Sequence, residues 1–407
     1  MSLVDTRPRL GSSELIRLIA SQVCVHASMA GMRMSSPLWA LQLHYSAWSV
    51  GLLLALFALA SVFLALPAGR YADRHGFKKP VFISVVLTCL GAFIPAVLPV
   101  FATLCVGALL TGAGTGLMLI SLQRHVGRYA EDSSELKRVF SWISIGPALS
   151  NFLGPLAAGL MIDHVSRPWG GQPSDALGFR FAFLLMALTP LISWWLIRGV
   201  QELPMSPRSD GVARGSVWDL LGRPGMRRLM TVNWVMSSCW DVHLFVVPVI
   251  GHAQGYNASV IGTILGSFAF AATSVRVLMP VLAARAREGT VVSAALVVAA
   301  TMFAVYPFMP SALAMGICSV LLGLALGSVQ PMIMSSLHQI TPEDRHGEAL
   351  ALRMMAINAS SVLMPMVFGA AGAVVGVSVV FWTVGAAAGL GSRLAWRLGQ
   401  PPPQVGR

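Results

Sequence analysis

The sequence predicts an all-α polytopic membrane protein: twelve transmembrane helices arranged as two pseudo-symmetric six-helix bundles. Three observations predict it. The chain has 407 residues, of which 56% are apolar and 11% charged, against about 25% charged in an ordinary soluble domain. Apolar runs of bilayer-crossing length, about 20 residues, recur twelve times. Short segments of the first half return in the second at nearly one offset.

Composition excludes several classes of function. A soluble enzyme of this size would need far more Lys, Glu and Asp to cover its surface. The net charge of +12 sits on few charged residues, which excludes a disordered chain and a nucleic-acid binder. The basic excess reads instead as loop asymmetry against an anionic inner leaflet. Cys24, Cys89, Cys105, Cys239 and Cys318 lie singly inside apolar runs, so neither a disulfide framework nor a zinc site is expected. The first ten residues are polar and include Arg7, Pro8 and Arg9. The first apolar run is longer than a signal-peptide core, so the first helix is expected to serve as its own insertion signal.

The twelve runs fall near 15–41, 47–68, 80–98, 100–123, 138–162, 178–200, 228–250, 258–283, 290–309, 311–336, 346–370 and 373–396. They are continuously apolar and lack ten-residue alternation, which excludes a closed barrel. With the N-terminus inside, inner loops and termini take 23 of the 28 Lys and Arg residues, including Arg70, Arg74, Lys78, Lys79, Arg124 and the run from Arg198 to Arg228. The outer loops receive Arg167 and Arg180, and Arg33, Arg276 and Arg353 fall within spans. The positive-inside rule then places both termini in the cytoplasm of a cell whose inner (plasma) membrane holds the chain.

The longest polar interruption, 201–227, is rich in Pro, Gly, Ser and Arg. It divides the chain into an N-terminal bundle, 1–200, a cytoplasmic linker and a C-terminal bundle, 228–407. Val50-Gly51 matches Ile261-Gly262 at an offset of 211, Glu131-Asp132 matches Glu343-Asp344 at 212, and Pro155…Gly159 matches Pro365…Gly369 at 210. Six spans repeated in one orientation imply a duplication about an axis along the membrane normal.

Between the second and third spans stands Gly69-Arg70-Tyr71-Ala72-Asp73-Arg74-His75-Gly76-Phe77-Lys78-Lys79. This run resembles the G-x-L-A-D-R-x-G-R-K loop of the major facilitator superfamily, with Tyr71 in place of Leu and Phe77 in place of the first basic residue. Lys78 and Lys79 can carry the basic role. Gly69 and Gly76 suit close backbone approach and positive φ, and Asp73 at a helix end can accept hydrogen bonds and oppose a dipole. The resemblance implies that Asp73 meets the start of the eleventh helix, between Thr341 and Glu348, and holds an outward-open state. It also implies that Arg74 pairs with an acid such as Glu131 or Asp132. A turn that merely sets topology is the alternative.

Gly146-Pro147 and Gly154-Pro155-Leu156-Ala157-Ala158-Gly159 in the fifth span resemble the superfamily's antiporter stretch G-x-x-x-G-P-x-x-G-G, with Ala158 at a closing glycine. Close helix packing explains these small residues as readily as export does. The fourth span has Gly112, Gly114 and Gly116 but no mid-depth arginine, so the family's proton-relay arginine has no counterpart there.

A charge at membrane depth calls for a partner or a water-filled cavity. His26 lies near the midplane of the first span, and Arg33 is two turns further on the same face. Asp241 and His243 lie in the seventh span, Arg276 in the eighth, and Glu348 with Arg353 in the first turns of the eleventh. Asp241 is the carboxylate set well inside a span and is the leading coupling group. His26 is the second, because its charge changes near neutral pH. A static pair of Asp241 with Arg33, and a satisfied packing histidine at position 26, are the structural alternatives. Glu348 and Arg353 are expected at the interface or as partners of the motif loop rather than on substrate. Trp234, Trp240 and Phe245, with Trp39, are candidates to line an aromatic cavity, with Trp39 equally suited to an interfacial belt.

The resemblance implies a secondary transporter that rocks two bundles around a central site. The expected activity is proton-coupled export of small amphipathic neutral or anionic compounds. Proton-coupled uptake of a small organic anion is the alternative, and a non-transporting membrane sensor is a third reading. No P-loop, nucleophile–base pair or metal cluster points to an enzyme or a cofactor. The partners expected are a small-molecule substrate, protons, the lipid bilayer and no nucleic acid, with the chain acting as a monomer.

Overall fold

The computed structural model describes residues 11–127, 133–165, 175–202, 217–282, 287–341 and 345–398, without side chains at certain helical positions, Gly69, Asp73, Arg74 and Glu348 among them. Every long element among these residues is an α-helix. In chain order they are α1 (Ser12–Gln42), α2 (Ala47–His75), α3 (Lys78–Val97), α4 (Phe101–Gly127), α5 (Ser133–His164), α6 (Ala176–Ile197), α7 (Met226–Ala253), α8 (Ala258–Leu282), α9 (Glu288–Val305), α10 (Ala312–Ile340), α11 (His346–Val375) and α12 (Val377–Trp396). All twelve are long and apolar enough to cross a membrane, as the hydropathy pattern predicts.

Their ends follow local chemistry. Asp175 caps α6 by accepting from Gly178 N at 2.7 Å, and Ser311 caps α10 by accepting from Ala314 N at 3.3 Å, each satisfying an orphan donor. Gly76 (φ 76°) turns the chain between α2 and α3, and Gly376 (φ 89°) separates α11 from α12. Both angles suit a residue without a Cβ. They also relocate two expected boundaries. The segment Gly69–His75 is the last two turns of α2 rather than a loop, and α11 runs to Val375 instead of ending near 370.

The helices approach closely where glycine permits it. A Cβ on Gly91 would lie 2.9 Å from Gly107 O, and one on Gly112 would meet the Phe57 backbone. These contacts seat α4 against α3 and α2. Hydroxyls are satisfied inside the bundle, as bilayer burial demands: Ser84 donates to Gly114 O (2.7 Å), Ser61 to Gly112 O (3.0 Å) and Ser28 to Met186 O (2.6 Å). The glycines of the fourth span therefore have packing roles. Leu18, Val25, Val81, Val85, Met118 and Leu122 fill the core between α1, α3 and α4.

Contacts group the chain into two units. One holds Met1–Ser36 and Leu56–Arg208; the other holds Pro37–Ala55 and Ser209–Arg407. The stretch 37–55 thus groups with α7–α12, for a reason visible at one crossing. A Cβ on Gly51 of α2 would lie 3.1 Å from the Gly369 Cα of α11, and one on Gly369 would lie 3.1 Å from the Trp48 Cα. The duplicated register is also visible in the helices: α2 starts at Ala47 and α8 at Ala258, an offset of 211 (258 − 47).

Candidate substrate and coupling site

In the second unit, α7, α8, α10 and α11 bring together three polar layers. The middle layer centres on Asp241, which is buried. Ser360 Oγ donates to its Oδ2 at 3.0 Å, and Ser361 Oγ donates to Oδ1 at 3.2 Å, both from α11. Ser238, one turn before Asp241, lies 3.5 Å from Ser360. Hydroxyl donors suit a carboxylate in either state, because they donate to the anion and can turn to accept from the acid.

The layer toward the end of α7 contains His243. Its Nε2 lies 2.9 Å from Ser319 Oγ of α10, and Ser319 in turn lies 3.0 Å from the Tyr306 hydroxyl. The imidazole stacks on Phe268 of α8 at 4.1 Å. It is fully enclosed, at 0% exposure, so it cannot touch a solute without rearrangement.

The third group is cationic and spreads along α7, from Asn233 nearer its start to Trp240 beside Asp241. Arg353 Nε donates to Asn233 Oδ1 at 3.1 Å, across from α11 to α7. Arg353 is 6% exposed, which corrects its expected place at the interface: α11 carries it inward, seven residues past His346. Arg276 of α8 lies over the Trp240 ring, 5.6 Å from the centroid. Trp234 is partly buried two turns before Asp241 and accepts at its carbonyl from Ser238 (3.0 Å).

In the first unit, His26 and Arg33 stand seven residues apart on α1. Both are partly exposed. Gly154 of the fifth span packs on that helix: a Cβ there would lie 2.8 Å from Gly31 N, and one on Gly146 would lie 2.7 Å from the Gln22 side chain. Pro147 and Pro155 lie inside α5 without ending it, and Gly159 is buried one turn beyond Pro155.

The motif run of α2–α3 gains a partner that sequence reasoning missed. Glu202, just past α6, accepts from the backbone N–H groups of Phe77 and Lys78 at the start of α3. Lys78 Nζ donates to Arg198 O at 3.1 Å. Phe77 stacks on His125 at 4.1 Å, and Gly76 leaves the space that the Glu202 carboxylate occupies. A cavity of about 10 Å³ lies among Ala72, Gly76, Phe77, Arg124, His125 and Glu202. The side chains of Asp73 and Arg74 lie outside the described residues, as do Glu131, Asp132 and, in the 341–348 stretch, residues 342–344 and the side chain of Glu348.

Solved structures share this fold. A bacterial homologue of the human lysosomal transporter Spinster, captured inward-facing and occupied, superposes with a TM-score of 0.78 at 12% identity, covering 95% of this chain and 96% of that one. A D-xylose–proton symporter superposes at 0.75 with 13% identity, over 95% and 97%. At such identity the likeness speaks for the fold alone. Among curated proteins, "Protein SGE1" of Saccharomyces cerevisiae is 28% identical over 51% of this chain and 38% of its own length. The α-ketoglutarate permease of Escherichia coli is 27% identical over 33% of this chain and 32% of its own. Azole resistance protein 1 of Saccharomyces cerevisiae is 27% identical over 34% and 22%. The matched segments thus span less than two fifths of those relatives' own lengths. The sequence model for the Major Facilitator Superfamily matches residues 18–333 and 229–407. With twelve spanning helices and the polar layers of α7–α11, the chain belongs to the Major Facilitator Superfamily of membrane transporters.

Proposed function

We propose that the chain is a proton-coupled secondary transporter of small amphipathic compounds, with Asp241 as the group that takes up and releases the coupling proton. One observation carries this reading: a buried carboxylate at mid-helix that accepts from the hydroxyls of Ser360 and Ser361 on a neighbouring helix. Burial at membrane depth favours the neutral acid, while donors from α11 hold the anion. Both protonation states are therefore within reach of a transport cycle. The bundles 1–200 and 228–407 are the bodies that rock, and the linker 201–227 joins them. His26, beside Arg33, is the second candidate for the proton.

Export of neutral or anionic compounds is the first direction. It draws on the fifth-span run and on a relative named for azole resistance. Uptake of a small organic anion is the second, and a specific observation favours it: two arginines reach α7, Arg353 at Asn233 and Arg276 over the Trp240 ring. Gly154 and Gly146 fit closely against α1, so the run is explained by packing. A relative named a permease accords with uptake.

The test is proton movement in liposomes that hold a pH-sensitive dye, with neutral, anionic and cationic compounds added in turn. Compound-driven flux that disappears in Asp241→Asn supports the proposal. Flux that survives that change and disappears in His26→Gln moves the coupling site to α1.

A further inference from the structure

In the first unit, α3 and α6 are tied together at the end nearest the linker. Lys78 Nζ, in the first turn of α3, donates to the carbonyl of Arg198 at the end of α6 across 3.1 Å. That bond satisfies one of the orphan acceptors of the α6 C-terminus. One turn along α3, Phe82 meets Trp194 edge-to-face, with ring centroids 5.0 Å apart. The two contacts fix the helices side by side. The side chains of Lys79, next to Lys78, and of Arg198 are both exposed, so two cations stand at one end of the α3–α6 seam.

Each cation heads an apolar stripe. On α3, Lys79 is followed at helical spacing by Phe82, Val86, Leu90 and Phe93; on α6, Arg198 is preceded by Trp195, Leu191 and Leu188. Steps of three and four residues keep each series on one helix face. All seven apolar side chains are exposed, from 38% at Val86 to 70% at Trp195. The eleven residues from Phe82 to Phe93 span about 16 Å, roughly half of a hydrocarbon core of about 30 Å, and so the depth of one leaflet. Trp195 stands one turn from Arg198, the interfacial depth that tryptophan favours.

The repeated half of the chain is built differently at this end. There α9, the counterpart of α3 in the duplicated order, opens on Glu288, whose carboxylate accepts from Ser335 and Gln339 at 2.8 Å each. Its first turn holds no lysine. The lysines of α3 are therefore a property of this helix pair, not a demand of the repeated fold.

We propose that the α3–α6 seam binds one anionic diacyl phospholipid in the leaflet on the linker side. Its phosphate lies between Lys79 and Arg198, and its acyl chains run along the two apolar stripes. Guanidinium and ammonium groups both donate to phosphate oxygens, and their charges attract anionic headgroups. A choline headgroup brings a cation of its own against the same two side chains. A headgroup without acyl chains leaves the stripes uncovered and gains only the charge. The proposal goes beyond the transport reading and does not depend on Asp241.

The experiment is native mass spectrometry of the purified full-length protein in neutral detergent, which counts bound lipids. Phosphatidylglycerol and phosphatidylcholine with identical acyl chains are titrated in turn. The first phosphatidylglycerol is expected to bind about tenfold more tightly than the first phosphatidylcholine. Lys79→Gln and Arg198→Gln are each expected to weaken it about fivefold, and the two together to abolish the preference. Lys79→Arg with Arg198→Lys keeps both charges and should keep the preference, so the site stays testable even if the glutamine variants fold poorly. Arg393→Gln with Arg397→Gln, an equal loss of exposed charge at the end of α12, should leave the preference intact.

Equal affinity for the two lipids overturns the proposal, as does a preference that survives the Lys79 and Arg198 double change. So does an equal loss in the α12 pair, which would make the effect one of overall charge. Glycerol phosphate is expected not to displace phosphatidylglycerol at a hundredfold excess. Displacement would make this a site for free phosphate esters and overturn the lipid assignment.

Discussion

Ser360 Oγ donates to Asp241 Oδ2 across 3.0 Å, joining α11 to α7 at the middle of the second unit. The bond ties Asp241 to the helix that also carries Arg353, seven residues earlier. Any movement of α11 along α7 changes the carboxylate's partners and the arginine's distance from Asn233 together.

The double change Ser360→Ala with Ser361→Ala removes both described donors to Asp241. A hydrogen bond to a charged group contributes about 1.5–3 kcal/mol, and 1.4 kcal/mol corresponds to a factor of ten. Flux is expected to fall roughly tenfold or more, short of the complete loss in Asp241→Asn. Initial rates of dye response in matched liposomes measure it.

His243 is expected to be a packing residue. Ser319→Ala takes away the described partner of its Nε2 and should cost about 1–3 kcal/mol of stability, since a buried ring nitrogen is left unsatisfied. Flux per folded molecule should be unchanged. Unfolding temperature and flux, measured on one preparation, separate a structural histidine from a proton carrier.

Glu202 reaches back from the end of α6 to cap α3, satisfying two orphan N–H groups beside a helix dipole. Glu202→Ala is expected to cost about 1 kcal/mol, the usual size for a lost N-terminal cap, and Glu202→Gln less than that, because the amide oxygen still accepts. Thermal unfolding of the three proteins checks the order.

The crossing of α2 and α11 has no room for a side chain. In Gly51→Val, the branched chain would press on the Pro365 carbonyl and the Gly369 backbone, and backbone cannot yield as a flexible side chain does. Overpacking of this kind costs about 1–3 kcal/mol, so the Tm should fall. The enlargement Gly316→Val, in open space, serves as its control and should leave the Tm nearly unchanged.

Twelve spans, their order and the internal duplication were legible because bilayer thickness and hydropathy dictate them. Helix ends were less so: Gly376, with its positive φ, ends α11 later than hydropathy alone suggests, because the surrounding residues are apolar on both sides of the break. Asp241 stood out as a carboxylate within an apolar run. Arg353 did not, since a cation near a span end reads as interfacial until α7 supplies Asn233. The Glu202 cap joins residues about 125 apart in the chain, and a glutamate opening a polar linker carries no local signal of its target. Gly51 was visible as half of a repeated pair, but its contact with Gly369 is a tertiary fact. The pairing of Arg276 with Trp240 lies across two helices and was equally invisible.

The most direct measurement is dye-reported proton flux in liposomes carrying wild-type protein or Asp241→Asn, with neutral, anionic and cationic compounds added in turn. The account predicts that at least one compound class drives proton movement in the wild type and that Asp241→Asn abolishes the response. Undiminished flux in Asp241→Asn would contradict it.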